Sequence, residues 1–149
     1  MKSWVKKGLA ALAALMLVAG PAAAQVPDPY ARELAQKLSR AETLLVENGY
    51  ARAAGPFAGG LNQREGRRFS VMMRAGQDYR VVGVCEDRCR NFDLRVNDPN
   101  GVMAGQDVLE DNLPVVHVRP RITGRYTIEV IMVRCASEPC WYAFNVYSR

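Results

Sequence analysis

The feature that most constrains the fold is a period-two pattern of apolar residues in the second half of the sequence. Phe92, Leu94 and Val96, for example, alternate with polar neighbours. A period of two is typical of a strand with one buried face. Comparable runs occupy Phe69–Met73, Tyr79–Val84, Val115–Val118, Tyr126–Met132 and Tyr142–Val146. Six or more short strands with no helix between them predict a mainly β domain over residues 67–149, an antiparallel β-sandwich or jelly roll.

The segment before these strands has a helical period instead. Leu34, Leu38, Ala41 and Leu45 recur at spacings of four, three and four, which places them on one face of a helix. Asp28 and Pro29 are typical of a helix start, and Asn48-Gly49 is a stop signal. We therefore expect one N-terminal amphipathic helix from about Pro29 to Asn48, within an N-terminal segment 25–50 that packs against its own domain.

Residues 51–66 are rich in Gly and Ala and contain Pro56. This composition predicts a linker between the helix and the β-domain, with one short strand near Phe57 as an open alternative.

The chain contains four cysteines, Cys85, Cys89, Cys135 and Cys140, in C-x3-C and C-x4-C spacing. An even number in a small exported domain indicates disulfides, whereas a four-cysteine zinc site usually has C-x2-C pairs. Chain entropy alone would favour a long-range link between the two pairs. Because each pair flanks a short polar stretch between apolar runs, we expect Cys85–Cys89 and Cys135–Cys140 to be the bonded pairs.

The N-terminus, MKSWVKKGLAALAALMLVAGPAAAQ, has the three parts of a secretory signal peptide. Three lysines precede a small apolar run, and Ala22-Ala23-Ala24 offers a cleavage site before Gln25. Gly20 and Pro21 interrupt the apolar run short of the roughly 20 residues that a membrane-spanning helix needs. We expect residues 1–24 to be removed, leaving a periplasmic or secreted protein without a stable membrane span.

Removal of the signal peptide also lowers the formal net charge from +5 to +2, because the signal carries three lysines and no acidic residue. This small excess gives no reason to expect nucleic-acid binding. Sixteen arginines but only Lys37 then remain among the basic residues. Arginine presents a planar fork of donors that suits carboxylates and phosphates, although a codon bias explains such a composition as well.

Three short motifs follow one another in the β-domain: a D-L strand in Phe92–Val96, a D-x-x-G turn at Asp98–Gly101 and a G-x-Y strand in Gly124–Val130. In this order they resemble the bacterial pre-peptidase C-terminal domain, a β-sandwich appended to secreted proteases and other exported hydrolases. The resemblance covers Phe69 to Tyr147. It implies a sandwich with an accessory, binding or targeting role, and it supplies no catalytic residues. The two cysteine pairs are not part of the family's general pattern.

His117 is the only histidine, and it stands between Val116 and Val118 in an apolar strand. Alternation predicts that it faces solvent on the side opposite the two valines. The cysteines are expected to be paired and no Gly-x-Ser-x-Gly elbow is present, so the sequence indicates no catalytic site.

Several carboxylates crowd one part of the β-domain, and some members of the resembling family bind calcium. The candidate calcium ligands are Asp93, Asp98, Asp107 and Asp111. Calcium prefers six to eight oxygen ligands. The spacing near Asp98 does not match an EF-hand loop, and Asp and Asn are also preferred in turns without any metal. Calcium is the one cofactor that this pattern allows, and the turn interpretation is favoured.

Alternation in the last strand places Tyr142, Phe144 and Val146 in the core and Trp141 and Tyr147 on the opposite face. An exposed Trp beside a Tyr could stack on sugars or anchor a protein. With Arg134, at the start of the second cysteine loop, these two residues form a candidate binding surface. The alternative is that the N-terminal helix covers this face.

These observations favour a monomeric, non-catalytic binding or accessory protein of the cell envelope, with an envelope protein or glycan as partner. The alternative function is an inhibitor of a secreted hydrolase, which would insert the disulfide-clamped loop Arg134 to Cys140. An enzyme ranks last.

Overall fold

The computed structural model describes residues 25–149 and shows one helix and eight strands. The signal peptide predicted for residues 1–24 lies outside the described residues. The elements are α1 (Asp28–Glu47), β1 (Ala51–Leu61), β2 (Gly66–Met73), β3 (Tyr79–Cys85), β4 (Cys89–Asn97), β5 (Met103–Asp107), β6 (Val115–Val118), β7 (Gly124–Cys135) and β8 (Cys140–Ser148).

The strands form two four-stranded sheets. The first sheet has the order β1-β8-β3-β6, and the second has the order β2-β7-β4-β5. Every neighbouring pair is antiparallel. The predicted fold class, an antiparallel β-sandwich with one N-terminal helix, is confirmed.

The main core lies between the two sheets and consists of the alternating apolar residues found in the sequence. Leu94, Ile128 and Phe144 are fully buried there. As predicted, Tyr142 and Val146 also point into this core.

The linker predicted for residues 51–66 is wrong for most of its length, because Ala51–Leu61 is an edge strand of the first sheet, paired with β8. Its small residues have a packing role. A Cβ on Gly59 would lie 3.0 Å from the Tyr142 hydroxyl, and one on Gly60 would lie 2.9 Å from the Trp141 ring. Glycines that looked like linker composition therefore make room for the aromatic side chains of β8.

Helix α1 packs on the outer face of the first sheet. Leu34 and Leu38 are buried against Val84 and Ala143. The helix starts one residue before the predicted Pro29, with Pro27 rather than Asp28 in the capping position. Asp28 therefore contributes a favourable charge to the first turn rather than a side-chain cap.

Both disulfides have the predicted local pairing. Cys85 is bonded to Cys89 and Cys135 to Cys140. Each closes the turn between two strands that are adjacent in sequence but belong to different sheets, β3 to β4 and β7 to β8.

Candidate functional site

Strand alternation gives the outer face of the first sheet a polar end and an apolar end. In β3, Tyr79 and Val81 point into the core, so Arg80, Val82 and Val84 point outward. The register of β6 continues this division across the sheet. Val82 is paired with Val115, and Arg80 is paired with His117.

Helix α1 covers the middle of this face and leaves an open groove between itself and β6, which we call the α1–β6 groove. Val82 and Val84 line it from the sheet, Leu44 and Leu45 from the helix, and Val115 from β6. Its volume is about 580 Å³. This is within the roughly 300–1,000 Å³ of small-molecule sites, so the groove is large enough for a ligand.

The walls of the groove leave large apolar side chains in solvent. Leu44 is 64% exposed, Leu113 49% and Val115 44%. Single exposed apolar residues are common on protein surfaces, but several that line one concavity mark an interaction site more often. The groove is therefore the best candidate for a binding site in the part of the chain that the structure describes.

Lys37 fixes the helix at one end of the groove. Its ammonium donates to Asp87 at 2.8 Å and to the Cys85 carbonyl at 2.9 Å, and it contacts Glu33 at 2.7 Å. Burial alone would lower the pKa of Lys37, but the hydrogen bonds and charges of the two carboxylates raise it above its usual value. Lys37 thus stays charged and ties α1 to the turn that holds the first disulfide.

At the other end of the same face, four cationic or titratable side chains surround one carboxylate. We call this group the Asp78 cluster. The Asp78 carboxylate contacts His117 at 2.5 Å, Arg80 at 3.1 Å, Arg149 at 3.3 Å and Arg119 at 3.5 Å. The guanidinium groups of Arg80 and Arg149 also lie over the ring of Tyr50, 5.4 and 4.6 Å from its centroid.

The carboxylate lies beneath the cations, which remain accessible. The side chain of Asp78 is only 9% exposed, whereas those of His117, Arg119 and Arg149 are 50%, 69% and 47% exposed. Burial alone would raise the pKa of Asp78, but the hydrogen bond from His117 and the charges of His117 and Arg80 hold it below its usual value. With three arginines around one ionised carboxylate, the side chains of the cluster carry an excess of positive charge even when His117 is neutral.

His117 therefore lies on the surface, as alternation predicted, and it is paired with a carboxylate. A His–Asp pair also occurs in nucleophilic catalysis, where the histidine activates a hydroxyl or thiol. Among the described residues, Asp78 is the only hydrogen-bond partner of the His117 side chain, and three arginines share this carboxylate with it. The arginines around Asp78 give the surroundings of His117 a positive charge that suits an anion.

The candidate surface of Trp141 and Tyr147 is a wrong prediction, because α1 covers this face. Tyr147 is fully buried, and its hydroxyl donates to Glu42 on the helix at 3.1 Å and accepts from Asn145 at 2.9 Å. Trp141 is half-buried against the helix and stacks on Tyr30, with ring centroids 6.3 Å apart. Periodicity correctly placed both side chains outside the sandwich core, but it did not identify the element that covers them.

Arg134, the third member of that surface, is exposed at the end of β7 and forms an ion pair with Glu110. The loop that follows is anchored on two sides. The backbone N–H of Gln63 donates to Glu138 at 2.8 Å, and Arg88 donates to the Pro139 carbonyl at 3.0 Å. These hydrogen bonds hold the loop in addition to its disulfide, although residues 136–139 are all exposed.

Three of the four candidate calcium ligands accept backbone hydrogen bonds in turns. Asp98 accepts from Asn100 and Val102, at 2.8 and 2.9 Å. Asp107 and Asp111 cap the segment between β5 and β6 in the same way. Within residues 25–149, no group of three or more His, Cys, Asp or Glu side chains is arranged to hold a metal ion. The turn interpretation fits these contacts.

Asp93, the fourth candidate, is 7% exposed, and its Oδ1 has no hydrogen-bond partner among the described residues. Burial raises its pKa, and the nearby charges of Asp107 and Asp111 raise it further against the opposing effect of Arg95. A carboxyl group in this position resists ionisation.

The α1–β6 groove and the Asp78 cluster were both missed at the sequence level. The groove depends on where the helix docks, which periodicity does not determine. Asp78 stands in the turn sequence Ala75-Gly76-Gln77-Asp78, where an acidic residue is ordinary. One signal was present: Arg80 interrupts the otherwise apolar strand Tyr79 to Val84.

No protein-family model matches the chain, and no curated protein matches it at a significant level. The resemblance to the pre-peptidase C-terminal domain therefore stays a prediction. The one helix of residues 25–149, α1, lacks the continuous apolar stretch that a membrane span requires.

Proposed function

We propose that the chain is a non-catalytic binding protein of the bacterial cell envelope, and that its binding site is the α1–β6 groove. The observation that carries the proposal is the groove itself, an open, ligand-sized concavity with apolar walls on the outer face of the β-sandwich. The ligand is an apolar chain or the apolar part of a larger molecule. The structure of the site thus favours a small amphiphile over the folded envelope protein or glycan expected from the sequence.

Two features support the envelope as the compartment. Both cysteine pairs are disulfide-bonded, and disulfides persist in oxidising compartments such as the periplasm. The N-terminal sequence has the three parts of a signal peptide. We expect N-terminal sequencing of protein exported by a bacterial host to begin at Gln25, and an intact Met1 on a membrane-embedded product would contradict this assignment.

The contacts that hold the walls of the groove in place support binding rather than a purely structural role. The groove lies between a helix fixed by buried leucines and a sheet whose β3–β4 turn is closed by a disulfide. A ligand that enters a preformed site orders few protein side chains, so little of the free energy of binding is lost to conformational entropy.

A neutral apolar fluorophore, N-phenylnaphthylamine, tests the proposal directly. We expect its emission to rise on addition of the folded protein and to fall when dodecanol displaces it. The double variant Leu44→Gln, Val115→Thr should weaken binding by tenfold or more, because about 1.4 kcal/mol of apolar contact corresponds to one factor of ten.

Met72→Gln provides the matched control. Met72 is 59% exposed, but it lies on the outer face of β2 in the other sheet. Its substitution should leave the affinity unchanged. Absence of fluorophore binding by the folded wild-type protein, or equal losses in the control and the groove variant, would refute the proposed site.

A further inference from the structure

The α1–β6 groove and the Asp78 cluster lie on one continuous surface. Val82 and Val115 are paired across β3 and β6, and two residues along each strand Arg80 and His117 form the next outward-facing pair. Two residues of a strand span about 7 Å. The sheet wall of the groove and the Asp78 cluster are therefore neighbours along β3 and β6.

We propose that the ligand of this groove is a single-chain amphiphile with an anionic head group, and that the Asp78 cluster binds the head while the groove holds the chain. This proposal rests on the proposed function and adds the chemical class of the ligand. Its basis is the juxtaposition of an apolar concavity with an excess of positive charge.

The arginines of the cluster have further N–H donors that can bind such a head group. Each guanidinium has five N–H groups, and each of the three arginines contacts Asp78 through one of its nitrogens. Arg149 uses a second nitrogen to donate to the Asn48 carbonyl at 3.1 Å. Arg119 is the most exposed of the three, and its contact with Asp78 is the longest. Its remaining donors can form charge-assisted hydrogen bonds to a carboxylate or a phosphate.

Asp78 acts as a positioning residue in this site. It holds guanidinium groups that would otherwise repel one another, and the ring of Tyr50 supports two of them from below. Because the carboxylate is buried whereas His117, Arg119 and Arg149 remain accessible, the bound head group would meet mainly these three side chains. The site is thus assembled before the ligand arrives.

Three ligands with the same alkyl chain test the inference by displacement of N-phenylnaphthylamine. Each ligand is used below the concentration at which it forms micelles. Dodecanol has a neutral head, whereas dodecanoate and dodecyl phosphate have anionic ones. We expect at least one anionic ligand to bind about tenfold more tightly than dodecanol, since a charge-assisted hydrogen bond contributes at least that factor. The stronger of the two identifies the head group as a carboxylate or a phosphate.

The variant Arg119→Gln, alone and combined with His117→Gln, should remove the tenfold preference for the anionic ligand over dodecanol. Arg68→Gln is the matched control, because Arg68 is an exposed arginine that also contacts a carboxylate but lies in the other sheet. The single variant keeps the test valid if the double variant does not fold.

Equal affinity for all three ligands in the wild-type protein would overturn the inference and leave the proposed groove intact. Unchanged preference in both Arg119 variants would also overturn it. Failure of the proposed function has a different signature, since the fluorophore itself would then not bind.

Discussion

Leu34 and Leu38 are the two helix residues buried against the sandwich, and Leu38→Ala measures what one of them contributes to the docking of α1. Leu38 is 6% exposed and packs in the cluster formed by Leu34, Val84 and Ala143. Burial of a leucine side chain contributes about 1.5–3 kcal/mol, and truncation to alanine in a core costs about 2–5 kcal/mol once the cavity is included. Leu38 also borders a second open cavity of about 560 Å³, so its surroundings can relax. We therefore expect a loss near the lower limit, about 2–3 kcal/mol.

Such a loss is a substantial share of the roughly 5–15 kcal/mol that stabilises a typical domain, and it should lower Tm by roughly 6–12 °C. Urea unfolding can be followed through Trp141, which contacts the helix and is the only tryptophan in residues 25–149. Far-ultraviolet circular dichroism provides an independent probe of the same transition.

Leu44→Ala is the matched control, because Leu44 lies on the same helix but is 64% exposed. Its substitution should change the free energy of unfolding by less than about 0.5 kcal/mol. If both variants were equally stable, the helix would not be docked through Leu38, and the α1–β6 groove would lose one of its walls.

Two further predictions concern Asp93 and the second disulfide. The raised pKa of Asp93 means that the folded protein binds more protons than the unfolded chain between the ordinary pKa and the raised one, so this residue lowers stability as pH rises through that window. Asp93→Asn should therefore raise the free energy of unfolding at pH 7 relative to the wild type. In urea titrations this gain should disappear below about pH 4. An equal gain at both pH values would exclude the ionisation of Asp93 as the cause. Replacement of both Cys135 and Cys140 by alanine should lower the free energy of unfolding by about 2 kcal/mol, the value that chain entropy gives for a loop this short. An unchanged urea midpoint would show that the disulfide adds no stability to a loop already held by Arg88 and Gln63.

Much of the fold was accessible from the sequence because strand alternation, helix period and cysteine spacing are local signals. The outward position of His117 and the core position of Phe144 both follow from a period of two. β1 was not accessible in this way. Its glycines are explained by the rings of Tyr142 and Trp141, which approach only after the chain has folded back on β8.

The candidate site was less accessible, because it depends on contacts between distant segments. Asp78 and His117 are 39 residues apart, and Asp78 and Arg149 are 71 apart. The error at Trp141 and Tyr147 has the same origin. Both residues have the pattern of an exposed face, and only the docking of α1 shows that this face is covered.

Backbone amide chemical shifts of isotope-labelled protein, recorded with and without dodecanoate, test the central claim most directly. The account predicts that the changes concentrate at Leu44, Leu113 and Val115 and continue to Arg80 and Arg119 along the same face. Changes confined to the loop between Cys135 and Cys140, or spread evenly over both sheets, would contradict a binding site between α1 and β6.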